Sequence, residues 1–244
     1  EVAPLDINTS GTAWEVRDGK LVPPLTTIKG LGEAAIVEVI HKRPFLNVED
    51  LLFDKGVVAR KVNKKSLDAM TRAGAMESLM DDRFFGDKHF WSAVVVDKPK
   101  NKKKLGENIQ KYKGEGTFTK GERISHLQAL TGIYPINMVV PVKAYQFFEI
   151  HGINPLSEYD RDLGKGWCIP TEVTTRKTKT GKPYYQVTVI DSSMKTQRIN
   201  CWGVNPKTDT IYTHRLYVLE WPTFNATWGF STKGGLSRNW KLLG

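Results

Sequence analysis

The residue pattern changes character near Gly166, and no other feature limits the architecture so much. Beyond it, "WCIPTEVTTRKT", "PYYQVTVIDSS", "TQRINCWG", "HRLYVLEWPTF" and "TWGFST" are runs rich in Val, Ile, Thr, Tyr and Trp, separated by turn residues. Short runs of that kind pair as strands, so residues 166–244 are expected to form a small all-β domain. Before it, apolar residues recur at helical spacing. Ile36, Val37 and Ile40 share a face and Pro44 follows, which predicts a helix over about 33–42. Asn47 and Gly56 bracket a second short helix, Asn63 and Gly74 a third, and "RISHLQALTGIYPI" a fourth that stops at Gly132 and Pro135. At the front, "WEVRDGKLV" sets two apolar runs around Asp18-Gly19, a tight-hairpin dipeptide.

The expected fold class is α+β and multi-domain. Residues 1–25 form a β-hairpin region, 26–97 a helical domain, 122–165 a helical connector and 166–244 the β-domain. Residues 98–121 are rich in Lys and Gly and nearly empty of aliphatics, and are expected to be a basic flexible linker. Lys plus Arg number 36 against 26 Asp plus Glu, a formal charge of +10 that points to a polyanionic partner, nucleic acid before a membrane surface. No window carries the roughly 18 apolar residues of a membrane span and no leader-like segment opens the chain, so a soluble cytoplasmic protein is expected. Cys168 and Cys201 lack zinc-ligand spacing and read as free thiols. The start at Glu1 rather than Met reads as a processed chain or a piece of a longer one.

In "IKGLGEAAIVEVI", two glycines one residue apart precede a helix. The first amides of a helix have no intrahelical acceptor and carry the positive end of its dipole, so they suit a phosphate. Gly30 and Gly32 would allow positive φ and keep side chains away from those amides, while Leu31 anchors the turn in the core. That is the layout of a helix-hairpin-helix, which grips DNA through its backbone without reading bases. A plain helix-helix turn with glycine caps has the same pattern. Lys29, Lys42, Arg43, Arg60, Lys61, Lys64 and Lys65 form the candidate duplex-phosphate patch around it, and each alone also reads as solvated charge.

"TTRKTKTGKPYYQV" places Arg176, Lys177, Lys179 and Lys182 beside Tyr184 and Tyr185. Five-stranded OB barrels bind single strands with such a loop and the neighbouring strand face, where bases stack on aromatics. Strand alternation puts Tyr184 outward and Tyr185 in the core. Trp202 either adds a stacking surface or fills the barrel. The acidic residues are scattered, the histidines at 41, 89, 126, 151 and 214 form no ligand pattern, and no phosphate loop or nucleophile elbow occurs. No catalytic residue, metal ligand or cofactor site is assigned.

In order along the chain, "PLDINTSGTAWEVRDGKLVPPLTTIKGLGEAAIVEVIHKRPFLNVEDLL", "KVNKKSLDAMTRAGAMESL", "GERISHLQALTGIYPIN" and the OB-like end resemble the C-terminal part of the DNA polymerase III alpha subunits, the family C replicative polymerases. The resemblance runs from about residue 3 to 203. It implies the end of the fingers over 1–25, a tandem helix-hairpin-helix domain on duplex DNA, an OB domain near single-stranded template, and a role in DNA replication. Within that resemblance Lys29–Gly32 and the Arg60–Lys65 patch would hold duplex, and the Arg176–Tyr184 loop a single strand. The palm with its aspartates and Mg2+ is absent, so nucleotidyltransferase chemistry would depend on the remaining polymerase domains or subunit. Residues 80–121 hold no close copy of the family's sliding-clamp peptide and Gln146–Ile150 departs from it, which fits a phage-encoded, split or fragmentary polymerase. The runner-up is a freestanding accessory protein with hairpin and OB modules that binds single- or double-stranded nucleic acid, and a third reading is an RNA-binding OB protein.

Overall fold

The computed structural model describes residues 2–243 and divides into two compact units between Ile133 and Tyr134. The first unit opens with β1 (Glu15–Arg17) and β2 (Lys20–Val22), which pair antiparallel around Asp18 and Gly19, both at positive φ. Helices and helical turns then build the core. The chain runs from a 3-10 turn at Leu25–Thr27 through Gly30 into α1 (Glu33–Lys42), then a π-helical turn at Asp50–Asp54, then α2 (Lys64–Arg72). Next comes α3 (Asp87–Trp91), which continues into a second π-helical turn at Ser92–Val96.

Local sequence explains each start. Asn63 caps α2 by accepting from the Ser66 amide at 3.1 Å, and Asn47 accepts from the Asp50 amide at 3.0 Å. Leu67 and Met70 on α2 are fully buried in one apolar cluster that also holds Leu25, Phe45, Leu51 and Phe90. Emptying a site like Leu67 costs about 2–5 kcal/mol, a large part of a domain's net stability.

The stretch expected to be a flexible linker is a packed element. Residues Lys102–Lys111 form α4, and Leu105 and Ile109, four apart, enter the core. Asn101 caps the helix by accepting from the Lys104 amide at 2.8 Å. Buried Asn108 donates to the carbonyls of Ala93 and Asp97. α5 (Lys120–Thr131) follows with a capping box between Thr119 and Glu122 and ends at Gly132 in the left-handed region. Lys-rich composition hides this packing, because the lysines face outward while two aliphatics and one amide do the docking.

The expected connector over 122–165 does not form one element. α5 belongs to the first unit, whereas α6 (Val142–Ile150) and β3 (Asn154–Pro155) belong to the second. The physical reason is aromatic: Phe148 of α6 stacks on the buried Trp167 at 5.2 Å, with the rings 10° from parallel.

The second unit is a curled mixed β half-barrel of OB-like topology. Its strands are β4 (Lys165–Lys177), β5 (Pro183–Ile190), β6 (Gln197–Trp202), β7 (Leu216–Glu220), β8 (Thr223–Asn225) and β9 (Gly229–Thr232). A short helix α7 (Leu236–Asn239) and the edge strand β10 (Trp240–Leu243) complete it. The sheet order is β10-β7-β4-β5-β6-β9-β8, with β3 paired to β4. β7 ends at Glu220 and β8 begins at Thr223, so one continuous stretch pairs with β4 at one end and with β9 at the other. That connection curls the sheet back on itself. β4 serves both sides because its register shifts between Pro170 and Glu172, where proline's missing donor is tolerated in a bulge. Tyr185, Val187, Val189, Ile199, Cys201 and Leu219 fill the interior.

Candidate nucleic-acid interface

The hairpin of the first unit is built from the glycines outward. Gly30 has φ 84°, a conformation that strains any residue with a Cβ. Gly32 departs from expectation: its φ is −72°, open to any residue, and it is the N-cap of α1. A Cβ on Gly32 would meet nothing within 4 Å. Its glycine identity therefore keeps open space before the helix rather than permitting a turn. No side chain caps Gly32, its carbonyl accepts from the amides of Ala35 and Ile36, and the amides before them have no intrahelical acceptor. Leu31 is buried, and the Lys29 amide donates to the Leu130 carbonyl at 2.7 Å, so the turn is fastened to the end of α5.

The basic residues separate into two groups. Lys61 is paired with buried Glu38 at 2.8 Å, and Glu38 also accepts from the Val58 amide at 3.0 Å. Lys64 donates to the Val96 carbonyl and Arg43 to the Ser10 carbonyl. These three cations have partners within the unit itself. Lys65 lies beside the hairpin, its Cε 3.4 Å from where a Gly30 Cβ would be. Lys29 points its Nζ at the left-handed turn that ends α5, 3.4 Å from a Gly132 Cβ position. Lys42 reaches toward Gly56, 3.9 Å from a Cβ position there, and Arg60 is exposed. Lys65 thus stands beside the turn that leads into α1, and Lys29 at the turn that ends α5.

The second unit presents an aromatic row. β4, β5 and β6 align Arg176 with Tyr184 and Tyr184 with Trp202, so the three lie side by side on one face. The Tyr184 and Trp202 rings stack at 4.4 Å and 30°, both half-buried. Tyr185 points inward, and its hydroxyl donates to the Asp209 carbonyl at 2.7 Å. Lys177, Lys179 and Lys182 are exposed around the turn that joins β4 to β5, a turn fastened by Thr178 and Lys182. The next row on the same face, Thr174, Gln186, Asn200, Ser231 and Thr223, is polar across five strands. Sequence reasoning missed Trp228, which stands 74% exposed at the β8–β9 turn. The signal was the Asn-initiated turn "NATWG", whose Asn225 accepts from the amides of Thr227 and Trp228.

Among the described residues, no group of three or more His, Cys, Asp or Glu is placed to hold a metal ion. Both cysteines are buried, and burial pushes the Cys168 thiol well up and the Cys201 thiol up to about 11, so neither is a nucleophile at neutral pH. Among the described residues, no helix is long and apolar enough to cross a membrane.

Residues 1–84 match the family model of the helix-hairpin-helix motif. The chain is similar to the DNA polymerase III subunit alpha of Caulobacter vibrioides, 33% identical over 82 residues, which is 32% of this chain and 7% of that protein. It is likewise similar to the DNA polymerase III subunit alpha of Pseudomonas fluorescens, 38% identical over 78 residues, or 30% and 6% of the two chains. An error-prone DNA polymerase of Corynebacterium efficiens is 35% identical over 81 residues, 32% of this chain and 7% of that protein. The matched stretch is thus less than a tenth of the length of these relatives.

Proposed function

We propose that this chain is a DNA-holding part of a family C replicative polymerase. Its hairpin grips the duplex backbone without regard to sequence, and the outer face of its barrel takes a single strand. Phosphoryl transfer then belongs to a region that carries the palm carboxylates and their Mg2+, and the setting is the cytoplasm. The observation that carries this reading is the open start of α1, where Gly32 leaves the helix without a side-chain cap and Lys65 stands beside Gly30 in the turn before it. Backbone amides and lysines are sequence-blind partners of phosphate, which is what a moving polymerase requires. The similarity of the first 84 residues to polymerase hairpin regions supports the same reading. On the barrel, the stacked Tyr184 and Trp202 beside Arg176 offer bases a π-surface and the backbone a cation, at about 1–3 kcal/mol per stacked base.

A salt titration of duplex binding tests it. Each phosphate contact adds about 0.9 to the negative slope of log affinity against log salt. Lys65→Ala and Lys29→Ala are each expected to flatten the slope by about one such contact. Lys61→Ala, whose cation is bound to Glu38, is expected to leave the slope almost unchanged. A slope indifferent to Lys29 and Lys65, or no duplex binding at low salt, overturns the reading.

A further inference from the structure

We propose that a cavity in the first unit is a docking site for an acidic partner peptide that inserts an aliphatic or aromatic anchor between two lysines. The cavity encloses about 420 Å³ and its floor is Leu51, Phe53, Val57 and Val62, with Lys98 and Lys100 at the rim beside Pro99. Its walls come from unusual backbone. Leu51 and Phe53 belong to the π-helical turn at Asp50–Asp54, and Lys98 lies two residues past the π-helical turn at Ser92–Val96. Such turns are rare and concentrate at functional sites.

Charge identifies the occupant. Lys98 is half-buried and unpaired among the described residues, and burial lowers its pKa. The acids that would answer it are engaged elsewhere: Asp97 by Lys111 at 3.1 Å, and Asp54 by Lys102 at 2.8 Å. An apolar cavity with unanswered cations on its lip complements a carboxylate-flanked apolar side chain. The apolar floor disfavours a nucleobase, because it offers no hydrogen-bonding side chain to satisfy the ring nitrogens and exocyclic groups of a buried base. The site is therefore a protein-contact surface on a unit that otherwise faces DNA.

The test uses the whole chain and a fluorescein-labelled hexapeptide with a Leu-Phe centre flanked by aspartates, read by fluorescence polarisation. Saturable binding is expected, weakened at least tenfold when Leu and Phe are replaced by Ala, and at least tenfold by Lys98→Glu combined with Lys100→Glu. Val57→Trp, which fills the cavity, is expected to abolish peptide binding. The lysine variant is a second arm that leaves the core intact, and thermal melting confirms that both variants fold. Equal binding of the Ala-centred peptide, indifference to the Lys98/Lys100 change, or no binding overturns the proposal. Displacement of the peptide by short single-stranded DNA, lost together with peptide binding in Val57→Trp, would assign the cavity to nucleic acid instead and overturn it too.

Discussion

Gly32 separates two roles that glycine plays in hairpins. At Gly30 the requirement is conformational, since φ 84° strains any Cβ. At Gly32 the backbone is ordinary and a Cβ would meet nothing within 4 Å, so the turn does not require glycine there, and a ligand in that space would give the missing side chain a purpose. Aspartate at that position would cap α1 better than glycine, by a few tenths of a kcal/mol, and would set a negative charge where a phosphate belongs. Gly32→Asp is therefore expected to melt at or slightly above the wild-type temperature while losing at least tenfold in duplex affinity. Gly30→Ala should lose stability as well as binding. Melting curves alongside duplex binding separate the two; a Gly32→Asp protein that binds duplex normally removes the phosphate site. Glu38 supplies a second residue-scale test. The Lys61 ammonium and the Val58 amide hold its carboxyl below the usual glutamate range. A depressed carboxylate stabilises above its unfolded pKa and loses that contribution as pH falls through its folded value. Glu38→Gln should thus melt below wild type near neutral pH, with the gap closing in acid; a pH-independent gap would show that the ion pair contributes nothing.

Among the elements, α4 turns a basic stretch into structure. Asn108 is fully buried and its amide closes on the carbonyls of Ala93 and Asp97, at the second π-helical turn, where backbone acceptors stand apart from regular pairing. Removing that amide leaves buried acceptors unanswered, at about 1–3 kcal/mol. Asn108→Ala is expected to lower the melting temperature and to open residues 98–121 to limited proteolysis, where the wild type resists. Rapid wild-type cleavage within Lys102–Lys111 would refute the packed helix. The sequence held the clue in Leu105 and Ile109 at a spacing of four with Asn101 as cap, yet composition masked it. The barrel was plainer, because alternating strand residues declare their face locally: Tyr185 inside, Tyr184 outside. What no local pattern reveals is pairing at a distance. Lys61 and Glu38 are 23 residues apart, so nothing local in the sequence announces their ion pair. Gly30 was legible as a left-handed position by residue type, whereas Gly32 shared that type for a different reason.

At the scale of the whole molecule, a chain whose two units both bind DNA, as proposed, would gain from any substrate that offers both kinds of site. The hairpin surface lies within the first unit and the Tyr184–Trp202 surface within the second. If the two act on one primer-template, the second contact becomes intramolecular and its strength is set by effective concentration rather than by its own affinity. A primer-template with a single-stranded overhang should then bind the intact chain more tightly than blunt duplex of the same length. Trp202→Ala should erase most of that advantage, costing about 1–3 kcal/mol on the overhang substrate and nothing on blunt duplex. Gly32→Asp should weaken both substrates. Comparing the double variant with the two single ones on each substrate measures the linkage, since independent sites give additive losses and shared engagement does not. Equal binding of blunt and overhanging DNA by the wild type would mean that the barrel face serves some other strand, and the two units would have to be assigned separate partners.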